Sequence, residues 1–508
     1  MGEPQEPPVV ATAIPYIGHV IGLMRSKFNY YVQLSHDNPL PIFTLNMPGQ
    51  KMYIITKPKL IQATQKLPKV LAFPPIEAKF ATRICGVSQE AKDIVFDNVN
   101  GERGDTGLSM ESYVAMKAAL SPSKECDEMN RQMIQNVAAA LDGLIPSTQQ
   151  SVRIRLWSWF RQNITAATTK AVYGPKNPLN DQSVVDAFWQ FEDDVMAILV
   201  GVFPSITARK GIAGREIVAK AFEQYYRDDG LMTGSIFAKN RYEVAEKNGV
   251  ALEDIAKWEV GGVTALVANS SPTAFWTIFF IYSTPGLLDD IRREIDAVVV
   301  TNNEGHEITR SLDIKSLKEQ CPLLTSTFQE TLRYGSIGTS VREVMEDTIL
   351  DGQWLLKKGA MVQMPSRIIH KDPSLWGPDV EEFNPQRFMK DSEAQRSGST
   401  ARKRPSPACF RAFGGGTTLC PGRHFATNEI LALTAMFVLR FDMAPLAGST
   451  WSMPTTHNSN MSIIVVQPDT DFEVEISRRK GFETGRFTCG LNGSDTILAV
   501  TVEDRTEG

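Results

Sequence analysis

The most constraining feature of this chain is a glycine-rich loop that ends in a single cysteine. The loop reads Phe413-Gly-Gly-Gly-Thr-Thr-Leu-Cys420-Pro-Gly, and apolar residues at helical spacing follow it. Glycines have no Cβ, so the backbone of such a loop can approach a flat ligand closely. Because proline is favoured at the first helical position, we predict a helix from Pro421 onward, whose N-terminal amides stabilise a thiolate at Cys420. Cys420 is therefore suited to hold a planar group through an anionic sulfur.

Other interpretations of the loop are weaker. A phosphate-binding loop needs Gly-Lys-Ser/Thr after the glycines, and the sequence lacks it. A zinc site made by Cys409, Cys420 and His424 would lack the paired ligand spacing that zinc prefers. An ordinary buried thiol is the remaining alternative, and residues elsewhere in the chain argue against it.

A glutamate and two arginines form a second pattern upstream of the loop. Glu330 and Arg333 stand three residues apart in a predicted helix, so their side chains share one face and can pair. Arg387 stands in a predicted loop, Phe383-Asn-Pro-Gln-Arg387-Phe388, from which it can reach back to the same carboxylate. We therefore predict a Glu–Arg–Arg cluster.

These motifs together resemble the signature of the cytochrome P450 superfamily, over roughly residues 10–480. The resemblance implies a predominantly α-helical (α+β) fold, with a large helical domain and a small β-rich region. It also implies that Cys420 is the proximal ligand of a heme b iron, and that Phe413 and Gly416 lie against the cofactor. A thiolate ligand pushes electron density to the iron and favours cleavage of an O–O bond. In such an enzyme Glu330, Arg333 and Arg387 form the structural core that supports the heme.

The chain departs from the family pattern two residues before the cysteine. The family usually has arginine or histidine there, which pairs with a heme propionate, whereas this sequence has Thr418. The propionate charge must then be met elsewhere. The resemblance suggests Arg342 and, less directly, Lys117.

A second departure lies in the longest helical pattern, Asp254 to Tyr282. This pattern contains Pro272, which costs about 3 kcal/mol inside a helix, so we expect a kink. The family's oxygen-activating helix usually carries an acid followed by an alcohol, and here the matching residues are Asn269 and Ser270. An amide cannot relay protons as a carboxylate does, although it can hold a water, and the hydroxyl of Ser270 can still donate. We take Ser270 and Asn269 as the candidate catalytic residues.

The stretch Ala268 to Trp276 looks like the branch that holds cholesterol 7α-hydroxylase and prostacyclin synthase, in which a fungal enzyme of secondary metabolism is one candidate. That branch contains oxygen-inserting enzymes and peroxide isomerases. We favour a monooxygenase that inserts oxygen into, or desaturates, a lipophilic terpenoid or sterol-like substrate. Its electrons would come from NADPH through a separate reductase. The alternative is a reductase-independent isomerase or dehydratase that acts on a peroxide. By family analogy the substrate pocket includes Ala265, Ala268, Ile337 and Thr339.

Composition restricts the partners and the location. The formal net charge of −5 argues against a nucleic-acid binder, which needs a basic surface. Six cysteines without a CxxC pair fit a reducing compartment. The sequence has no run of about 18 apolar residues that would predict a transmembrane helix. The expected location is the cytosolic face of the endoplasmic reticulum membrane, or otherwise the cytoplasm, and the expected state is a monomer.

The domain organisation follows from the same reading. Residues 1–15 form a proline-rich lead-in, which is either a native start or the remnant of an excised membrane anchor. Residues 16–480 form a single heme-thiolate catalytic domain. Residues 481–508 extend past the family's usual end and have no assigned role, although Thr496 to Val502 reads as one strand.

Local patterns predict several further elements. Gly49 suggests a hairpin between strand-like runs over residues 41–56. Apolar spacing predicts helices from Ser151 to Val172 and from Gln182 to Val202. Ser462 to Val466 reads as a strand, and Asp391 to Pro407 reads as a polar, basic loop.

Overall fold

A computed structural model describes residues 4–304, 307–390, 407–492, 498–501 and 504. The predicted loop over Asp391 to Pro407 lies almost entirely outside these residues. Most of the described chain is helical, as the sequence predicts. The α-helices are α1 (Gly18–Ser26), α2 (Asn29–Asp37), α3 (Pro58–Gln65), α4 (Pro74–Cys85), α5 (Gln89–Phe96), α6 (Leu108–Leu120), α7 (Lys124–Asp142), α8 (Leu156–Tyr173), α9 (Gln182–Val200), α10 (Pro204–Thr207), α11 (Arg209–Arg227), α12 (Ile236–Lys247), α13 (Leu252–Val267), α14 (Ser270–Ser283), α15 (Leu287–Val298), α16 (Ile314–Gln320), α17 (Pro322–Gly335), α18 (Ser366–His370), α19 (Pro373–Trp376) and α20 (Arg423–Arg440).

The strands are short and belong to small sheets. They are β1 (Ile42–Met47), β2 (Gln50–Ile55), β3 (Leu71–Ala72), β4 (Ser151–Arg155), β5 (Val300–Glu304), β6 (Glu307–Asp313), β7 (Thr339–Val344), β8 (Thr348–Leu350), β9 (Trp354–Leu356), β10 (Met361–Pro365), β11 (Phe441–Pro445), β12 (Glu473–Arg478) and β13 (Arg486–Gly490). The largest sheet has the order β1-β2-β10-β7-β3. Smaller sheets have the orders β11-β12-β4, β13-β6-β5 and β8-β9. The predicted hairpin is confirmed, since β1 pairs antiparallel with β2 around Gly49.

Two helices form the centre of the core. Helix α14 is buried from Ser270 to Tyr282, and α20 is buried at every position except Ala426. The two helices pack against each other, and α14 also packs on α8 and α17. A helix that is apolar all round is buried on all sides, so any polar group on α14 or α20 needs a partner or a function.

The predicted kink in the long helical pattern is present, but it lies one turn before the proline. Helix α13 ends at Val267 and α14 begins at Ser270, which makes Pro272 the third residue of α14. Proline has no N–H to reach the carbonyl of Ala268, four residues back, and its ring crowds that carbonyl. The chain therefore breaks at Ala268 and Asn269. At the third position the missing N–H is harmless, because the first helical amides have no intrahelical acceptor.

Three local predictions were wrong. Ser151–Arg155 is strand β4 rather than the start of a helix, because Val152 and Ile154 alternate with arginines and pair with β12. The residues from Ser462 to Val466 form only an isolated bridge between Val465 and Ser336. The part of the predicted strand Thr496 to Val502 that the structure describes, residues 498–501, is not a strand.

Among the described residues, no helix combines the length and the apolar composition of a membrane-spanning segment.

Candidate functional site

Cys420 lies at the end of the glycine loop, just before the buried helix α20. Its backbone N–H donates to the carbonyl oxygen of Phe413 at 2.9 Å, which closes the loop into a ring. Helix α20 begins at Arg423, so the predicted start at Pro421 is wrong by two residues, and Pro421 and Gly422 form a turn instead. The helical amides nevertheless act on the thiol. Burial raises the pKa of Cys420, and the backbone amides of Gly422 and Arg423, together with the Arg423 charge, oppose that rise.

The backbone of the loop can be formed only by glycines at two positions. Gly414 has φ +79°, and a Cβ there would lie 2.6 Å from the carbonyl oxygen of Thr418. A Cβ at Gly415 would lie 2.5 Å from Nη1 of Arg411. The loop is therefore packed tightly against an arginine on one side. Gly416 is exposed and Phe413 is half-buried, so the predicted cofactor-binding pair is accessible to a ligand.

Two buried arginines meet beside this loop. The Arg342 guanidinium, on β7, donates to Oγ1 of Thr418 at 2.8 Å and to the carbonyl oxygen of Val341 at 2.6 Å. Burial, and secondly the charge of Arg411, lowers the pKa of Arg342 to about 10. Two like charges that are buried next to each other repel, and an anionic group between them relieves that repulsion. The residues present thus fit a heme, with a thiol for the iron, glycines for the flat face and paired cations for the propionates.

Thr418 and Lys117 differ in how they relate to this pair. Thr418 stands where the family usually has a cation, and its hydroxyl instead holds Arg342 in place. Lys117 is exposed on α6, and its side chain forms no hydrogen bond or ion pair with any residue that the structure describes. Both predicted cations, Arg342 and Lys117, therefore stay predictions, and Arg411, which the sequence analysis did not single out, lies beside Arg342.

Glu330, Arg333 and Arg387 come together as a buried cluster. Both oxygens of the Glu330 carboxylate accept from Arg333, at 2.8 Å each, and from Nε of Arg387, at 3.1 Å each. The Glu330 and Arg333 side chains are 0% exposed. Arg387 also pairs with Asp379 at 3.1 Å, so two carboxylates balance two guanidiniums. The resulting charge balance is what makes burial of four ionised groups tolerable.

His370 connects this cluster to the cysteine loop. Its carbonyl oxygen accepts from Arg333 at 2.7 Å, while its ring Nε2 accepts from the backbone N–H of Arg411 at 2.8 Å. Burial, and then the charges of Arg333 and Arg411, hold the pKa of His370 well below its ordinary value. The ring is therefore neutral, and Nε2 remains an acceptor. Through the His370 ring, the cluster of Glu330, Arg333 and Arg387 therefore fixes the backbone at Arg411, where the glycine loop begins.

The helix break carries the second group of predicted residues. The side-chain oxygen Oδ1 of Asn269 accepts from the backbone N–H of Ile464 at 2.7 Å, and the carbonyl oxygen of Ile464 accepts from Ile337 at 2.7 Å. Asn269 thus holds a loop against the break. Of the other pocket residues, Ala265 is exposed and Ala268 is buried. Thr339, half-buried, begins β7 on the strand that carries Arg342.

Ser270 lies beside a buried carboxyl group that sequence reasoning also missed. Glu429, on α20, accepts a very short hydrogen bond from the hydroxyl of Thr168. Its other oxygen, Oε2, has no hydrogen-bond partner of ordinary geometry among the described residues. Burial raises the pKa of Glu429 to about 7, and the hydroxyls of Thr168 and Ser270 limit the rise. Burial thus favours the protonated form of this carboxyl more than solvent would.

Sequence signals for the missed residues exist only in hindsight. Arg411 precedes Phe413 by two positions, and Glu429 directly precedes the apolar run from Ile430 to Leu433 in the buried helix α20. A lone charge in a buried helix is a recognisable anomaly. Its partners on α8 and α14, however, cannot be inferred from spacing along one helix.

Comparison with known proteins agrees with this arrangement. The cytochrome P450 family model matches residues 235–474. The chain is 33% identical over 505 residues to cytochrome P450 monooxygenase nodJ of Hypoxylon pulicicidum, covering 98% of this chain and 95% of that protein. It is 26% identical to a cytochrome P450 monooxygenase of Gibberella zeae, covering 94% and 90% of the two chains. It is 24% identical to the 25-hydroxycholesterol 7-alpha-hydroxylase of Rattus norvegicus, covering 81% and 96%.

The chain belongs to the cytochrome P450 family. It is therefore a heme-thiolate enzyme of the monooxygenase class, an oxidoreductase whose cofactor is heme iron. A separate redox partner that draws electrons from NADPH is typical of the family.

We predict that Glu330→Gln destabilises the protein far more than Glu128→Gln. Both glutamates pair with an arginine three residues later, but Glu128 and Arg131 are exposed whereas Glu330 and Arg333 are not. Loss of the buried charge leaves two arginines without their shared partner and costs about 3–5 kcal/mol. Loss of the exposed pair costs about 0.5 kcal/mol. Urea unfolding of both variants measures the difference, and equal midpoints would contradict the role of the cluster.

We also predict that Arg342→Gln weakens heme retention and that Lys117→Gln does not. Hydrogen bonds to charged groups contribute about 1.5–3 kcal/mol, so the loss of Arg342 should speed heme release roughly tenfold or more. Transfer of heme to excess apomyoglobin measures that rate. If Lys117→Gln releases heme as fast as Arg342→Gln, the assignment of the propionate site to the arginine pair is wrong.

Proposed function

We propose that this enzyme inserts oxygen into, or desaturates, a lipophilic substrate with a terpenoid or sterol-like skeleton, using electrons from NADPH through a separate reductase. The observation that carries the proposal is the cysteine loop, which with its neighbouring arginines fits the flat ring and the two propionates of a heme. It is joined by the break in the buried helix pattern at Asn269 and Ser270. The sterol hydroxylase among the relatives supports the substrate class. A place in secondary metabolism is a further part of the proposal and rests on family resemblance.

The chain's own residues divide the work of holding the cofactor. When bound, the heme supplies oxygen activation. Cys420 would ligate the iron, Arg342 and Arg411 would neutralise the propionates, and Phe413 and Gly416 would lie against the ring. The closed turn from Phe413 to Cys420 keeps the sulfur fixed, since its backbone amide is already bonded within the loop.

Ser270 and Glu429 would manage protons at the break. The absence of an acid at Asn269 leans toward the isomerase, whereas the retained hydroxyl of Ser270 leans toward the monooxygenase. Glu429 changes that balance, because it places a titratable carboxyl beside the hydroxyl of Ser270 from a different helix. In this proposal the Glu429 carboxyl holds a proton that the Ser270 hydroxyl passes on. Asn269 has a positioning role, since its Oδ1 is engaged by Ile464.

We further propose that the enzyme works at a membrane surface, on the cytosolic face of the endoplasmic reticulum. The connection around α10 exposes large apolar side chains that do not fold inward, with Val202, Phe203 and Ile206 exposed by 57%, 73% and 77%. Near the N-terminus, Tyr16 and Met24 are exposed as well. Contiguous exposed apolar side chains mark interaction or membrane sites.

The functional test is a titration of the heme spectrum followed by turnover. Polycyclic terpenoids and sterols should shift the purified enzyme from low to high spin, because an apolar skeleton displaces iron-bound water. The ligands that bind should then be converted only with reductase and NADPH. Product formed from a peroxide without reductase would replace this proposal with the isomerase. The absence of any NADPH-dependent product would reject the monooxygenation of that substrate class.

The same assay tests the proton route through Glu429→Gln, which keeps the side-chain shape but cannot release a proton. The variant should bind substrate with an unchanged spin shift and form less product per NADPH consumed. Glu192→Gln is a matched control, because burial also raises the pKa of Glu192 to about 7, and its partners are Asn460 and Gln467 instead of Ser270. An equal loss of coupling in both variants would exclude a specific role for Glu429.

The membrane proposal predicts that Phe203→Asp with Ile206→Asp weakens binding to phosphatidylcholine vesicles. Burial of one such side chain contributes about 1.5–3 kcal/mol, so the pair should lower the bound fraction at least tenfold. Met232→Asp is the control, because Met232 is 75% exposed on another connection. Flotation of the three proteins measures binding, and equal flotation would contradict the assignment of this surface.

A further inference from the structure

Asp504, in the C-terminal segment, forms a buried ion pair with the first turn of α20. Oδ1 of Asp504 lies 2.7 Å from Nε of Arg423 and 3.4 Å from Nε2 of His424. Oδ2 of Asp504 accepts from the backbone amides of Val500 and Thr501 at 3.0 and 2.9 Å, and from the Thr501 hydroxyl at 3.0 Å. The Asp504 side chain is 0% exposed. Burial raises the pKa of Asp504, but the hydrogen bonds from His424 and Arg423 outweigh it and hold that pKa well below its usual range.

The described part of this segment is tied to the rest of the protein. Strand β13 pairs with β6, and Val500 and Thr501 are buried. The side chain of Gln329, on the helix that carries Glu330, donates to the carbonyl oxygen of Ala499 at 3.3 Å. Asp504 is therefore a charge held at a defined place.

Arg423 connects that charge to Cys420. Its Nη1 donates to the carbonyl oxygen of Cys420 at 3.3 Å, while its Nε is engaged by Asp504. A cation near the sulfur stabilises negative charge on it and so weakens its donation to a bound metal. A carboxylate on the far side of that cation offsets the effect. Asp504 can thus act on the sulfur without touching it.

We propose that Asp504 is a positioning residue that orients and partly neutralises Arg423, and thereby sets how strongly the Cys420 sulfur donates to the heme iron. The inference rests on the heme ligation by Cys420 described above. It gives the extension beyond residue 480 a role in the cofactor site. A sulfur that donates more strongly stabilises the oxidised iron, so Asp504 keeps the reduction potential low.

The test is the ferric–ferrous midpoint potential of the heme-loaded protein. Asp504→Asn should move the potential positive, by about the 59 mV that corresponds to a tenfold change for one electron. Arg423→Gln should move it negative. In the Arg423→Gln background, Asp504→Asn should have little further effect, because the path through the guanidinium is gone. Asp296→Asn, which breaks a more exposed pair with Arg479 at 2.6 Å, is the control and should leave the potential unchanged.

A purely structural anchor gives a different pattern. Asp504→Asn would then lower the melting temperature and leave the potential where it was, which overturns the proposal. If Asp504→Asn does not retain heme, Arg423→Gln carries the same test, and an unchanged potential in that variant also overturns it. Failure of Cys420 to ligate iron would appear in the unaltered protein, as a ferrous carbonyl spectrum without the thiolate signature, and so remains distinguishable.

Discussion

The Glu330 carboxylate is the interaction on which the cofactor side of this protein depends. It binds Arg333 and Arg387 at once, and through Arg333 it fixes the carbonyl of His370. The neutral ring of His370 then accepts the backbone amide of Arg411, where the glycine loop begins. Ion pairs at this depth contribute little net stability, since desolvation offsets their attraction. Their contribution here is to the geometry of the site. An unpaired charge at 0% exposure has a high free-energy cost, so the three side chains are held in the one arrangement that pairs them.

The helix break plays the corresponding part on the other side of the core. Pro272 forces the break. At the break, the side-chain oxygen of Asn269 accepts a hydrogen bond from the backbone N–H of Ile464. An aspartate at that position could also accept the amide, but it would carry a charge into a largely buried surrounding. An amide at Asn269, in place of the family's usual acid, therefore suits a side chain whose role is to hold the loop at Ile464. The titratable group that we propose for proton transfer is Glu429 on the neighbouring helix, where Thr168 and Ser270 adjoin it.

The sequence predicts contacts between side chains that are close along the chain, because a short spacing determines their geometry. It does not predict contacts between separate helices and strands. Glu330 and Arg333 share a helix face by their spacing, and Arg387 was expected to reach the same carboxylate from a predicted loop. The helix after Cys420 was misplaced by only two residues, since proline and glycine can start a helix or precede it. Arg411, Glu429 and Asp504 could not be assigned, because their partners lie on β7, α8 and α20, and no local pattern encodes such contacts. Strand β4 was misread since its pairing partner, β12, lies more than 300 residues away.

Charges on the two sides of the cysteine loop act in opposite directions. Beside the glycine loop, Arg342 and Arg411 are like charges close together, and burial, followed by the charge of Arg411, lowers the pKa of Arg342. At the start of α20, Arg423 is compensated by Asp504. A bound dianion would neutralise the first pair, whereas the second needs no ligand. A bound heme would therefore add negative charge beside Arg342, whereas the control of the sulfur that we propose would come from Asp504, a residue of the chain itself.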